Sequence, residues 1–310
     1  MMSARFLTVV LERAFNMRDG FGREIDYMRI SVIDSCNLNC YYCNPCDNNE
    51  HCHALNILSV KEVLCIVRAA TRLGIKHFRL TGGEPLLHPQ LDEMVLQIKK
   101  IPGVSSVSLT TNAVLLVQHA KWLKEAGIDS INVSLDTIDA SEYERITKKP
   151  LLEEVKHGIN AAIECGIRVK INVVLTPQTD VVALTRYVAK KGTDIRFIEM
   201  MPVGEGHTNG VEPYKKVIGT LSKLYGEPCR INTEKTKEIN SGNDKRKIPD
   251  NGPAEYYIFP ELGIRVGLIQ AIHGKFCDTC NRIRVTADGR LMPCLGSSVT
   301  MDLVPDSCEF

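Results

Sequence analysis

From Met28 to about Met200 the chain alternates short apolar runs with amphipathic stretches, and this alternation restricts the fold more than any other feature. The runs at 29–33, 77–81, 105–109, 130–135, 168–175 and 195–200 read as strands. Between them 60–73, 89–99, 117–126, 152–165 and 180–190 carry helical periodicity, with Gly74, Gly127 and Gly166 placed as C-caps. Strand and helix repeated in this way predict βαβ units and a parallel sheet. Such a sheet is either an open doubly wound one or an incomplete barrel, and both gather ligands at the carboxyl ends of their strands.

The unusual local sequences fall at those ends. The first strand runs into Cys36-Asn37-Leu38-Asn39-Cys40-Tyr41-Tyr42-Cys43, and the second into Thr81-Gly82-Gly83-Glu84-Pro85. Later strands lead to Thr110-Thr111-Asn112, Ser134-Leu135-Asp136 and Glu199-Met200-Met201-Pro202. Each of these taken singly fits a turn or helix start. As a set they form a ligand bed, in which Gly82-Gly83 lets backbone groups approach a small polar ligand and Glu84 can accept from its amine. Three thiols spaced C-x3-C-x2-C are one short of the four that hold a [4Fe–4S] cluster, which leaves one iron open for chemistry. The competing reading is a structural zinc site, although that wants a closed set of four ligands.

The sequence holds 12 cysteines, a number that suggests disulfides only in a small exported protein. Its sole N-terminal apolar run, Phe6-Leu7-Thr8-Val9-Val10, is too short for a signal core or a membrane span. A cytoplasmic protein using cysteine for metal or redox chemistry is therefore expected, with Cys65, Cys165 and Cys229 as small core residues. A net charge of +1 excludes a global basic field for nucleic acid, so any anion must be met by local cations.

Beyond Pro202 the alternation fades through a charged segment at 235–247, which reads as a boundary. Residues 1–26 are then a leader, 27–203 one domain and 204–310 a C-terminal region. That region contains Asn251-Gly252-Pro253-Ala254 and then Phe276-Cys277-Asp278-Thr279-Cys280-Asn281-Arg282-Ile283-Arg284-Val285-Thr286, with Cys294 behind Pro293. Cys277, Cys280 and Cys294 imply a second open cluster, or a zinc ribbon completed by His273. Arg282 and Arg284 alternate on an extended segment and so point the same way, offering forked donors of a size for phosphate. Arg29, Arg79, Lys170 and Arg196 at strand ends or inward positions add to a polyphosphate site. Cys46, Cys52 and His53 form either a further metal site or a solvent-facing loop.

The first triad with Gly-Gly-Glu-Pro resembles the radical S-adenosylmethionine (SAM) superfamily. That resemblance implies an α/β fold, a partial (β/α)6 TIM-like barrel, here with a C-terminal extension carrying a second cluster. It also implies that the open iron chelates SAM and that reductive cleavage yields a 5′-deoxyadenosyl radical. Tyr42, Gly83, Ser134 and Met201 would line the SAM site, with Glu84 near the amine. The two triads, Asn-Gly-Pro-Ala and Cys-x2-Cys-Asn-Arg-x-Arg-x-Thr together are similar to the GTP 3′,8-cyclase (MoaA) family, which begins molybdenum cofactor biosynthesis. By that resemblance Arg29, Arg79, Thr110, Lys170, Arg196, Arg282, Ile283 and Arg284 hold GTP, with Arg29, Arg282 and Arg284 catalytic, and guanine meets the second cluster. Ribose C3′ would lose hydrogen and attack C8. The implied cofactors are two [4Fe–4S] clusters and SAM; the implied partners are an electron donor of flavodoxin or ferredoxin type and the next enzyme of the pathway, with a homodimer left open. Family members usually finish in a Gly-Gly tail that enters the active site. This sequence ends at Cys308-Glu309-Phe310, so weakened turnover or another substrate, a peptide or a different nucleotide, is the expectation attached to that departure.

Overall fold

The computed structural model describes residues 17–43, 56–202, 210–231, 252–297 and 299–303. Strands β1 (Tyr27–Ser31), β2 (His77–Thr81), β3 (Ser106–Thr111), β4 (Ser130–Ser134), β5 (Val169–Leu175) and β6 (Asp194–Glu199) lie side by side in chain order, all parallel. The crossovers are made by α1 (Val60–Arg72), α2 (Leu91–Lys99), α3 (Leu116–Glu125), α4 (Ala140–Thr147), α5 (Leu152–Glu164) and α6 (Val181–Lys190). Each expected strand and helix occurs within two residues of its sequence bounds. Helix α1 starts at a capping box, in which the Ser59 hydroxyl accepts from Glu62 N at 3.3 Å and the Glu62 carboxylate accepts from Ser59 N at 2.7 Å. Gly74, Gly127 and Gly166 take φ of 92°, 90° and 69°, the left-handed conformation that ends a helix. Helix α4, which the periodicity did not predict, spans 8 residues and is capped by the Asp139 carboxylate on Glu142 N at 2.8 Å.

The C-terminal region extends the same sheet at both edges. Strands β7 (Cys229–Ile231), β8 (Glu255–Ile258) and β9 (Arg265–Ile269) add beyond β6, preceded by helix α7 (Gly219–Tyr225). Strands β10 (Arg282–Val285), β11 (Arg290–Met292) and β12 (Met301–Asp302) add beyond β1. Since β9 and β10 are parallel to β6 and β1, the parallel core runs β10-β1-β2-β3-β4-β5-β6-β9, and antiparallel strands continue it on either side.

The two faces of this sheet differ in a way that decides where function sits. Met28, Ile30, Phe78, Leu80, Val107, Leu109, Ile131, Val133, Ile171, Val173, Ile195 and Phe197 are all at most 4 % exposed and belong to one core with the helices. The alternate positions are polar: Tyr27 and Arg29, His77 and Arg79, Ser106 and Ser108, Ser130 and Asn132, Lys170 and Asn172, Asp194 and Arg196. A parallel strand buried by helices on both faces reads as a continuous apolar run. Strict alternation here means that helices cover one face and that the concave face is built to hold something polar.

Candidate active site

The carboxyl end of the sheet is organised by backbone contact with the first cysteine loop. Gly83 N donates to Ile33 O and Glu84 N to Ser35 O, both at 2.8 Å. A Cβ on Gly82 would sit 2.2 Å from Ile33 O, and one on Gly83 would sit 2.2 Å from Ser35 O and 2.4 Å from Asp34 O. The glycine pair thus closes on the segment leading to Cys36, where the sequence suggested a close approach to a ligand. Glu84 also differs from expectation. It has 0 % exposure; Oε1 accepts from Leu86 N at 3.0 Å and Thr111 Oγ1 at 2.7 Å, and Oε2 accepts from Asn112 N at 2.7 Å. With three donors already on its oxygens it is a latch between the ends of β2 and β3 instead of an open acceptor for an amine. Burial outweighs those bonds and raises its pKa to about 6.

The latch continues to the thiols. Asn112 Nδ2 donates to Asn37 Oδ1 at 2.7 Å and lies 3.8 Å from Cys36 Sγ, while Leu38 N lies 3.4 Å from the same sulfur. Asn39 N and Tyr41 N donate to Thr147 O and Ile146 O at the end of α4, at 3.0 and 3.1 Å. The Tyr42 hydroxyl donates to Asp136, whose other oxygen accepts from Val174 N at 2.7 Å. Neither Asn112 nor Asp136 was given a role from sequence; the signal was their position directly after β3 and β4. Burial raises the pKa of Cys36, Cys40 and Cys43, that of Cys40 to about 12 with Asp136, Cys43 and Cys36 adding to the effect. Thiols this reluctant to ionise alone need the positive charge of a metal centre to become ligands. Exposed Gly83 and Ser134 and partly exposed Met201 flank the same end.

The second triad lies at the opposite end of the strands. Cys277 and Cys280 precede β10, whose Arg282 pairs with Tyr27 at the start of β1. The antiparallel register Arg284↔Met292 and Val285↔Leu291 runs β11 back toward the start of β10, so Cys294 follows β11 on the side where Cys280 precedes β10, and both thiols act on Arg284. The length of β1 alone, 5 residues at about 3.3 Å each, puts the two triads on the order of 16 Å apart.

Cations fill the interval. Arg284, Arg29 and Arg79 occupy paired positions on the adjacent strands β10, β1 and β2, and Ser108 continues the row on β3. Arg29 is driven down to a pKa of about 9, first by burial, with Tyr27 opposing and Arg284, Arg79 and Arg282 adding to the fall; among the described residues its Nε has no hydrogen-bond partner. Burial and Arg282 likewise lower Arg284. Arg79 Nε donates to Tyr27 Oη at 2.5 Å. Across the concave face Lys170 and Arg196 are 7 % and 4 % exposed, Arg196 Nε donating to Asn172 Oδ1 at 2.9 Å. Gly267 leaves space for Arg196, whose Cγ would stand 2.8 Å from an added Cβ. Like charges gathered out of water repel one another, and such an arrangement is suited to a multiply charged anion. Thr110 is partly exposed on β3. The Ile283 side chain is 8 % exposed and packs in the core, because the strand alternation turns it away from Arg282 and Arg284, leaving its backbone for the concave side.

Among the described residues no three or more of His, Cys, Asp and Glu are gathered as a single metal ion requires. In a four-iron cubane each cysteine takes a different iron, and three thiols suit that donor set. His273, offered above as a fourth zinc ligand, bonds through Nδ1 to Glu199 at the end of β6. Cys46, Cys52 and His53 lie outside the described residues.

These features coincide with what comparison finds. The radical SAM superfamily model matches residues 30–184, and the fold agrees with solved radical SAM proteins. Streptococcus suis SuiB bound to S-adenosylmethionine superposes with a TM-score of 0.61 at 16 % identity over 90 % of the chain; the chain spans 63 % of SuiB, just under two thirds. The anSMEcpe structure with bound AdoMet gives 0.59 at 18 % identity, covering 88 % of the chain and 75 % of that protein. A second model, Molybdenum Cofactor Synthesis C, matches residues 193–306. GTP 3′,8-cyclases of Clostridium perfringens (strain SM101) and Pelotomaculum thermopropionicum are 37 % and 38 % identical, covering 90 % and 93 % of the chain and 83 % and 86 % of those proteins. The chain belongs to the GTP 3′,8-cyclase family of radical SAM enzymes, which works in molybdenum cofactor biosynthesis. Its cofactors are SAM and iron–sulfur clusters.

Proposed function

We propose that GTP is the substrate and that it is converted to (8S)-3′,8-cyclo-7,8-dihydroguanosine 5′-triphosphate. The observation that carries this reading is the row Arg284–Arg29–Arg79, with Lys170 and Arg196 opposite, between two three-cysteine ends. Cys36, Cys40 and Cys43 would hold one [4Fe–4S] cluster, and Cys277, Cys280 and Cys294 another. SAM held at the first cluster would supply the radical chemistry that removes hydrogen from ribose C3′. Gly83, Ser134, Met201 and Tyr42 line the end where SAM belongs. Arg29, Arg79, Lys170 and Arg196 neutralise the triphosphate, and their forked or pointed donors fix its oxygens. Thr110 supplies a hydroxyl at the carboxyl end of the cavity. Arg282, Arg284 and the backbone of Ile283 orient the base toward the second triad. A carbon radical is quenched by any nearby C–H bond or by side reaction in water, so the protein's task is to hold the two reactants in contact on the concave face of the sheet.

Residues 27–203 form the radical-generating barrel in this reading, and 204–310 supply the second cluster and base recognition. An electron donor of flavodoxin or ferredoxin type and the next enzyme of the pathway are its partners, and the cytoplasm its location. No helix among the described residues is long and apolar enough to cross a membrane. Anaerobically reconstituted protein given GTP, SAM and reductant is expected to form 5′-deoxyadenosine and a cyclised nucleotide. SAM cleavage with GTP left intact would redirect the reading to another nucleotide or a peptide.

A further inference from the structure

The loop before β1, taken from sequence as a leader, is built against the second triad. Asp19 Oδ1 accepts from Phe21 N at 2.9 Å and Arg23 N at 3.0 Å, Asp19 N donates to Arg23 O at 3.1 Å, and Gly22 N donates to Asp19 O at 2.9 Å. Gly22 makes the turn with φ 78°. Inside this turn Arg23 Nε donates to Asp19 Oδ2 at 2.6 Å, and the guanidinium stacks over Phe21 at 5.5 Å from the ring centroid. One side of the guanidinium is thereby fixed, and the other reaches across 254 positions of sequence, Nη1 donating to Cys277 O at 2.7 Å. Two further bonds tie the same segments together: Asn281 Nδ2 to Asp26 Oδ1 at 2.6 Å and Tyr27 N to Asn281 O at 3.2 Å. Only 22 % and 20 % of the Arg23 and Asp19 side chains are exposed.

A surface arginine without a task does not need four bonds to hold its anchor and a carbonyl of a cysteine ligand as its target. We infer that Arg23 is a positioning residue for the second cluster: clamped by Asp19, it fixes the Cys277–Asn281 loop and sets a permanent cation against the cluster, raising its reduction potential. This rests on the reading that Cys277, Cys280 and Cys294 hold a cluster. Reduction adds negative charge to a cluster, so a fixed neighbouring cation favours the reduced form.

The test is an EPR-monitored redox titration of fully reconstituted wild type, Arg23→Gln, Arg23→Lys and Asp19→Asn. In Arg23→Gln the midpoint of the second cluster should fall by on the order of tenfold in its equilibrium, ~59 mV for one electron. Arg23→Lys, which keeps the charge, should recover most of the fall. Asp19→Asn, which keeps the arginine but removes the anion paired with it, should shift the midpoint in the opposite direction, and the first cluster should not move in any variant. Unchanged midpoints in Arg23→Gln, or a lysine variant as low as the glutamine one, overturn the inference. If Arg23→Gln does not retain iron, an unchanged midpoint in Asp19→Asn, or a large fall in Arg23→Lys, overturns it. Wild type that binds one cluster only would instead remove the reading on which the inference stands.

Discussion

Glu84 carries its charge where no water reaches it, and this sets a pH signature for the fold. Its pKa in the folded chain, about 6, lies above the ordinary 4.5, so folding favours the protonated carboxyl. Its contribution to stability is fully present below pH 4.5 and is lost as pH rises through 6, roughly 2 kcal/mol across the window. Glu84→Gln is expected to flatten the urea midpoint over that range, and a variant keeping the wild-type slope would show that another group is responsible. Gly83→Ala tests the neighbouring contact: its Cβ would meet backbone oxygens at 2.2 and 2.4 Å, which cannot swing aside. The loop bearing Cys36 must shift, so reconstituted iron should drop from about eight to about four per chain. Full iron and normal SAM cleavage in that variant would contradict the tie between Gly-Gly and the cysteine loop. At this scale the sequence exposed residue types but not partners. The spacing of Cys36, Cys40 and Cys43 is legible because ligand spacing is local. That Glu84 is consumed by Thr111 and Asn112, and Tyr42 by Asp136, depends on strands 27 and 94 residues away.

Among the elements, β10 does the most with the fewest residues. Its 4 residues pair in parallel with β1, so that Arg284 stands beside Arg29 and Arg282 beside Tyr27. Arg284→Ala removes charge-assisted bonds of about 1.5–3 kcal/mol and should weaken GTP binding roughly 10- to 100-fold, measured anaerobically by calorimetry. Binding within twofold of wild type would take β10 out of the nucleotide site. The six barrel strands were readable because helices with an apolar stripe separate them. Strands β7 to β12 were not, since they are 2 to 5 residues long and no helical period punctuates them. The alternation at Arg282 and Arg284 correctly gave their common face, and the same rule, applied to Ile283, would have put its side chain in the core.

Over the whole molecule, one sheet serves both ends of the reaction. Its parallel strands carry the first triad past their carboxyl ends, the second before the amino end of β10, and the guanidinium row between. Sequence showed two triads and a set of cations. Their placement at opposite ends of a common lumen follows from β10 joining β1, a pairing between residues 255 positions apart that no local pattern encodes. The account stands on that lumen bringing SAM-derived radical and GTP together. The direct measurement is an anaerobic assay with reconstituted protein, GTP tritiated or deuterated at ribose C3′, SAM and dithionite. The predicted result is transfer of the label into 5′-deoxyadenosine in step with formation of the cyclised nucleotide. Unlabelled 5′-deoxyadenosine beside unconsumed GTP would contradict it.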